Sequence, residues 1–547
     1  MLPSLLMIAA GAALVDANIL PTPPPAVVTA ASTPNTHHTL QVAVSAPSAA
    51  VDVPPDFFSF GFETAFLTHF HNKFSENVVG SIANRTSKPL IIRVGGTSGD
   101  LVSFNESQKE PARCFSGHGC RHASDMAFTL GPSYFEGFKA FPNAHMTFQA
   151  PIYPKLEMKD WLNRSMEYTR RASKALGQSR IAGIALGNEP DYYTYGPEEY
   201  IDRAVKLESR IVKELGLTGE ARRIFELGDI PNSVIAKRDE DEMEERGFNF
   251  GVSNILGSEL DKNGMGKFAA QHYYQIEQKH LPATRETMQN HLMNHKAITA
   301  RFPRIDRSIE YVQTHAKDIA YVISETGSAI GSLPLNISGS FGAALWAVDF
   351  HLYAMTRGVK RVSNTMRPEA THGFWVPDDT GAPMTLGPAV HGIFPAAAFI
   401  TDFIGKDSLG KAAVIDVPGN PDFFSAYGMY ERQSGALKRA ALVNLNFWDE
   451  SVKGHRGNAT VTLHVGDTIK SATVRRMRAD NGATALGYDL GGHKNNVTWA
   501  GEQWTYKLDR GVGHSPHPVK KETVSVNKAG DVVVTVPDSE AVMVTFA

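Results

Sequence analysis

The sequence predicts an α/β protein: a (β/α)8 barrel of the TIM type followed by an antiparallel β-sandwich. Three observations carry that prediction. Across residues 55–402, short apolar runs alternate with amphipathic helical patterns, as expected of parallel strands joined by crossover helices. Across residues 403–547 the runs become short and alternating, with Gly, Asn and Asp turns between them. Two glutamates also stand at the carboxyl ends of strand candidates, the face on which a β/α barrel builds its chemistry.

Taken in order, residues 1–17 open with MLPSLLMIAAGAALV and read as a secretory signal with a small-residue cleavage site. That apolar run is shorter than a membrane-spanning helix, and no later segment reaches the required length. Residues 18–37, rich in Pro, Thr and Ala, read as an extended lead-in. Residues 38–54 hold two alternating runs, expected to be edge strands that join the C-terminal sandwich. The barrel strand candidates are FFSFGFE (57–63), LIIRVGG (90–96), MTFQAPI (146–152), IAGIAL (181–186), RIFELGD (223–229), FAAQHYY (268–274), YVISE (321–325) and AALWAVDF (343–350). Intervening segments such as WLNRSMEYTRRASKALG (161–177) have helical length, and eight such alternations are the number that closes a barrel. Beyond residue 403, FFSAYGMYE, LKRAALVNLNFW, ATVTLHV, SATVRRMRA, NNVTWA, TVSVN and DVVVTV supply the sandwich.

The segment IAGIALGNEPD (181–191) is the most informative part of the chain. Ile181, Ile184 and Leu186 make a short buried strand that stops at Gly187. Pro190 cannot continue a ladder and confines Glu189 to extended or turn geometry. The Asn188 amide and the Glu189 carboxyl are thus presented together at a strand exit. A second apolar run, IAYVIS, ends at Glu325, 136 residues later, which leaves room for about three β/α units in a barrel of roughly 250 residues. Either motif alone reads equally well as a polar turn. Two strand-end carboxyls together suit retaining glycoside hydrolysis, in which one protonates the leaving oxygen and the other attacks the anomeric carbon from about 5–5.5 Å away.

Composition narrows the partners. The chain has 547 residues, 42% apolar and 20% charged, the balance of an ordinary globular protein. A formal net charge of −3 speaks against a nucleic-acid partner. The basic stretch His291, His295, Lys296, Arg301, Arg304 and Arg307 reads first as a solvated helix face. Cys114 and Cys120 flank a Gly-rich loop and are expected to pair in an oxidising compartment; with His118 and His122 nearby, their spacing still matches no standard zinc pattern. N-glycosylation acceptors stand at Asn84, Asn105, Asn163, Asn336, Asn458 and Asn496. The expectation is an exported protein with a carbohydrate substrate, no metal, no organic cofactor and no membrane partner.

The motifs GFE (61–63), IRVGGTSGD (92–100), GNEPD (187–191), QHYY (271–274) and SETGSAIGS (324–332) together resemble glycoside hydrolase family 79, the family of β-glucuronidases and heparanases. The resemblance runs from about residue 40 to the C-terminus, and its GNEPD and SET pair is shared with the wider clan A of retaining barrel glycosidases. It implies Glu189 as acid/base and Glu325 as nucleophile. Asn188 resembles the amide that holds the sugar 2-hydroxyl, and Glu63 the acceptor for hydroxyls of the terminal sugar. Tyr273 matches a tyrosine beside the nucleophile, with Tyr274 as the alternative. Arg93 and Thr97 fall at the second strand's exit, and Arg93 would keep the nucleophile ionised or else support the fold. The backbone N–H groups of Gly331 and Ser332 would meet a uronate carboxylate. Where several family members carry a tyrosine five residues after the nucleophile, this chain has Ile330, which removes a hydroxyl donor and would tolerate a 4-O-methyl group. The implied function is a secreted exo-β-glucuronidase. The alternatives are a clan A enzyme for neutral sugars and a heparanase-like endo-β-glucuronidase. A non-catalytic sugar-binding protein is disfavoured by the paired glutamates.

Overall fold

The computed structural model describes residues 35–114, 128–152, 160–192, 196–231, 251–277, 281–330, 333–368, 370–378, 387–406 and 410–547. Eight parallel strands close a barrel in chain order: β1 (Phe58–Glu63), β2 (Ile91–Gly95), β3 (His145–Ala150), β4 (Ile181–Leu186), β5 (Phe225–Ile230), β6 (Gly266–Ile276), β7 (Ala320–Ala329) and β8 (Arg361–Met366). Crossover helices include α1 (Lys73–Ala83), α2 (Trp161–Leu176), α3 (Pro197–Glu214), α4 (Pro303–His315) and α5 (Phe341–Arg357).

One strand lies elsewhere than the sequence suggests. AALWAVDF (343–350) is not the eighth strand but the middle of helix α5, which begins after Ser340 and stops at Gly358 with a left-handed φ of 100°. Its first twelve residues are all buried. A helix buried on every side has no polar face, so periodicity cannot separate it from a buried strand. The true eighth strand, RVSNTM, looks polar because its inward side chains, Arg361, Ser363 and Thr365, face a polar barrel interior.

That interior is layered. A small apolar layer of Phe268, Ala270 and Val322 lies at one level. The Arg361 guanidinium stacks 4.3 Å from the Phe268 ring and pairs with Glu226, both almost fully buried. A buried pair of this kind contributes little net stability, but loss of one partner leaves a stranded charge costing about 3–5 kcal/mol. Next to the catalytic face, β7 carries an irregularity in its register with β6. Gln271 faces Ile323, whereas His272 faces Glu325, so Ser324 is an extra residue. The bulge turns Glu325 into the barrel mouth beside His272, as bulges near active sites commonly do.

The C-terminal region is a two-layer sandwich. Its large sheet runs Val51–Val53, β9 (Gly410–Val414), β10 (Phe424–Glu431), β11 (Leu437–Asn444), β17 (Glu540–Phe546), β13 (Ser471–Ala479) and β14 (Val497–Trp499), with β15 (Glu522–Ser525) on β13. The small sheet runs Thr36–Gln41, β12 (Asn458–His464) and β16 (Asp531–Pro537). Leu40, Val461, Leu463, Val532 and Val534 meet Leu442, Val474, Val542 and Val544 between the layers. Alternate residues of the large sheet, among them Tyr427, Ala441, Val443 and Met543, point the other way into the barrel's core. The period-two pattern thus buries both faces of one sheet. A polar clasp crosses this junction: buried Asp349 of α5 accepts hydrogen bonds from His295 Nδ1 (2.9 Å), from Ser425 Oγ (2.7 Å) and from the Tyr427 hydroxyl.

Candidate active site

The exits of β1, β2, β4, β5, β6 and β7 converge on one cluster. Arg93, on β2, is the hub. Its guanidinium donates to Glu325 Oε2 (2.9 Å), to Asn188 Oδ1 (2.7 Å) and to Asp229 Oδ1 (3.3 Å). His272, on β6, stands between Glu189 and Asp229, with Nδ1 3.4 Å from Glu189 Oε1 and Nε2 3.4 Å from Asp229 Oδ1. The Tyr274 hydroxyl donates to Glu325 Oε1 (2.7 Å). Glu189 and Glu325, 17% and 14% exposed, are the most accessible members, while Arg93, Asp229 and His272 are sealed below them.

Charge balance follows from these contacts. Burial works against ionisation of Glu325, but the charges of His272 and Arg93 and the hydrogen bonds of Tyr274 and Arg93 outweigh it and hold the carboxyl below its ordinary range. Burial also opposes the His272 charge, yet Glu325, Asp229 and Glu189 push the imidazole up to about 10. Asp229 is held low in the same way, with Arg93 and His272 overcoming burial. The Arg93 guanidinium can only donate, so Asn188 must turn its carbonyl oxygen toward it. The Asn188 Nδ2 is then left facing the pocket, 3.4 Å from Glu189 Oε2.

Glu189 is backed by an unusual turn. Gly187 has φ 81° and Glu189 itself φ 46°, a left-handed conformation that costs a non-glycine residue about 1–2 kcal/mol. The turn geometry expected before Pro190 is therefore left-handed, not extended. Glu63, at the end of β1, is buried, and its Oε1 accepts from Ser98 N (2.7 Å) and Ser98 Oγ (2.6 Å). Burial, then repulsion from Glu325, push Glu63 up to about 7 despite Ser98 and Arg367. Gly96, with φ 96°, passes so close that any side chain there would collide with this carboxyl. Thr97 opens the short turn after β2, partly exposed.

Tyr273 is not in the site. Side chains alternate along β6, so His272 and Tyr274 point into the barrel and Tyr273 points out. Its ring stacks on Phe350 of α5 at 4.7 Å, and its hydroxyl donates to Gln275 Oε1 (2.9 Å). Gly331, Ser332 and Cys120 lie outside the described residues. Cys114 closes a short strand, Ala112–Cys114, and is disulfide-bonded. Of the glycosylation acceptors, Asn84, Asn105 and Asn163 are exposed, whereas Asn336, Asn458 and Asn496 are half-buried. Among the described residues no cluster of His, Cys, Asp and Glu could hold a metal, and no helix is long and apolar enough to cross a membrane.

Several site residues escape the sequence reading. His272 and Asp229 sit inside the quoted segments QHYY and RIFELGD, and strand parity would have marked both. Arg367, one residue past β8, carries a charge felt by Glu63, Tyr274 and His372. His372 is buried at 6.0 Å from the Tyr274 ring, and burial followed by Arg367 pushes it down to about 3. Both lie past a strand placed elsewhere by sequence.

Residues 426–543 match the model of the glycosyl hydrolase family 79 C-terminal beta domain. The chain is 27% identical to a beta-glucuronidase of Neurospora crassa over 88% of its own length and 90% of that protein's. It is 25% identical to a beta-glucuronidase of Aspergillus niger, covering 92% of this chain and 93% of that one. Together these matches support glycoside hydrolase family 79 as the family of this chain. Among solved structures, a 4-O-alpha-L-rhamnosyl-beta-D-glucuronidase from Fusarium oxysporum 12S has the same fold, with TM-score 0.73 at 18% identity, covering 93% of this chain and all of that one. A family 51 alpha-L-arabinofuranosidase from Bifidobacterium longum shares the architecture at TM-score 0.58 and 13% identity, across 94% of this chain and 100% of its own. The protein is accordingly a glycoside hydrolase, with a carboxylate held ionised at one strand exit and a second carboxyl presented at another.

Proposed function

We propose that this family 79 hydrolase is a secreted exo-β-glucuronidase that works by double displacement. The observation that carries the reading is the shared clamp: Arg93 holds Glu325 and Asn188 at once, and the Asn188 amide lies 3.4 Å from Glu189 Oε2, so both carboxyls border the same pair of residues. Glu325, ionised, attacks the anomeric carbon as Glu189 donates its proton to the departing oxygen and the glycosidic C–O bond breaks. Water, deprotonated by Glu189, then displaces Glu325 and releases the sugar with retained configuration. Asn188 Nδ2 donates to the 2-hydroxyl, and Glu63 and Thr97 receive hydroxyls of the terminal sugar.

The reading assigns the uronate carboxylate to Gly331 and Ser332, on the family resemblance alone, with the Arg367 charge supporting it. The described β-glucuronidase relatives favour this substrate over a neutral sugar, and the net charge of −3 favours an exo glucuronidase over a grip on a sulfated polymer. Ile330, half-buried at the mouth, would accept a substituent on the sugar's 4-oxygen. Export in an oxidising route accounts for a Cys114–Cys120 bridge and for glycans, which fit best at the exposed Asn84, Asn105 and Asn163.

The test is release of sugar from 4-nitrophenyl glucuronide, glucoside and xyloside, with product stereochemistry followed by NMR. Faster turnover of a neutral glycoside, or an inverted product, would reject the proposal. Glu189→Gln should lose activity on poor leaving groups far more than on dinitrophenyl glucuronide. Glu325→Gln should be inactive on both and should trap no fluoro-sugar adduct.

A further inference from the structure

Asp100 is buried at the end of the short turn Thr97–Asp100 after β2. Its two oxygens each receive a backbone N–H from a different strand exit. Oδ1 accepts from Ile152 N (2.8 Å), just past β3, and Oδ2 accepts from Asn188 N (2.8 Å), just past β4. The next peptide is fixed from the other side, because Glu189 N donates to the Asp229 carbonyl (3.0 Å). Gly187, immediately before these anchors, packs on Ile152: a Cβ there would meet Ile152 Cδ1 at 3.2 Å. The left-handed Glu189 therefore sits in a turn held at two successive N–H groups and by packing. Backbone strain of this kind persists only where the surroundings over-determine it.

We infer that Asp100 is a positioning residue for the acid/base: its carboxylate bridges the exits of β3 and β4 and so fixes where the Glu189 carboxyl points. This rests on the reading of Glu189 as the proton donor. Asparagine at position 100 keeps the shape but offers one acceptor, so its amide donor must face one of the two N–H groups. The turn then relaxes from its left-handed geometry and Glu189 moves relative to the leaving oxygen. A displacement of about 1 Å in a catalytic group is worth on the order of 100-fold in rate.

The experiment uses the full-length enzyme and a series of aryl and alkyl glucuronides. Asp100→Asn should lower kcat on phenyl and methyl glucuronides by roughly 100-fold, leave dinitrophenyl glucuronide little changed, and leave KM near the wild-type value. The slope of log kcat against leaving-group pKa should steepen toward that of Glu189→Gln. Asp100→Glu, which keeps two acceptor oxygens, should recover part of the loss, and it serves alone if the Asn variant does not fold. An equal loss across all leaving groups, or no loss in a folded variant, overturns the inference. If Glu189→Gln itself shows no leaving-group dependence, the underlying reading of Glu189 fails; if it does and Asp100→Asn does not, only the positioning role fails.

Discussion

Removing the guanidinium of Arg93 is the sharpest test of how Glu325 is kept ionised. Arg93 Nη1 lies 2.9 Å from Glu325 Oε2, and both groups are largely withdrawn from water, at 4% and 14% exposure. At an effective dielectric of about 20, two unit charges at this separation attract by about 6 kcal/mol, an upper bound because both charges are spread over several atoms. Arg93→Met therefore removes a stabilisation of a few kcal/mol from the anion that must attack. It also strands Asp229, whose only other charged neighbour at close range among the described contacts is His272. We expect kcat/KM on 4-nitrophenyl glucuronide to fall about 100- to 1,000-fold, equivalent to about 3–4 kcal/mol. The acid limb of the pH profile should move to higher pH, because the anion loses the cation that favours it. Folding stability should drop by about 3–5 kcal/mol, read as a lower midpoint in urea. Arg93→Lys keeps a charge without the three-way fork, so its acid limb should stay closer to wild type while kcat still falls. A folded Arg93→Met enzyme with an unmoved acid limb would refute the electrostatic argument.

Three further outcomes follow from the geometry. Tyr274→Phe should lower kcat about 10- to 100-fold by removing the hydrogen bond to the nucleophile, while Tyr273→Phe should leave kinetics intact and cost about 1 kcal/mol in stability; the reverse pattern would mean the β6 register is wrong. In the clasp between barrel and sandwich, His295 is raised by Asp349 against the opposing effect of burial, and Asp349 is held low by His295, again against burial. The histidine's contribution is complete below its ordinary 6.5 and is lost as pH rises through its raised value; the aspartate's is complete above its ordinary 3.8 and is lost as pH falls through its lowered one. Thermal stability should therefore be greatest between those ordinary values, and Asp349→Asn should flatten that dependence in melts run across pH. Arg367→Ala should raise KM for glucuronides more than for neutral glycosides, and equal effects on both would remove Arg367 from carboxylate recognition.

Much of this was legible in the chain because barrel strand exits have a sequence form: apolar runs ending in a small residue and a carboxyl. Glu189, Glu325 and Asn188 were visible for that reason, whereas Glu63 came only through the family resemblance. The misplaced eighth strand has the opposite cause. A barrel interior built from Arg361, Ser363 and Thr365 beside Glu226 and Arg93 makes β8 look like surface, while the enclosed α5 looks like a strand. Everything anchored past β8, Arg367 and His372 included, was hidden with it. Tyr273 was misassigned because a motif match gives a segment without its parity, and Asp100 passed unnoticed because its role is to hold two backbone N–H groups that no side-chain pattern records.

The pairing of Thr36–Gln41 with β12 joins residues 423 positions apart, Thr36 to Ala459. At a synthesis rate of about 5–20 residues per second, the first strand waits roughly 20–85 s for its partner. During that wait its ladder edge is open, and the barrel can close before the sandwich exists. Once both ends of the chain are locked into one sandwich, they bracket the barrel between them. A single cut in a barrel loop would then leave two fragments still bound through that shared sandwich, so nicked enzyme should co-purify as one particle and separate only under denaturing conditions.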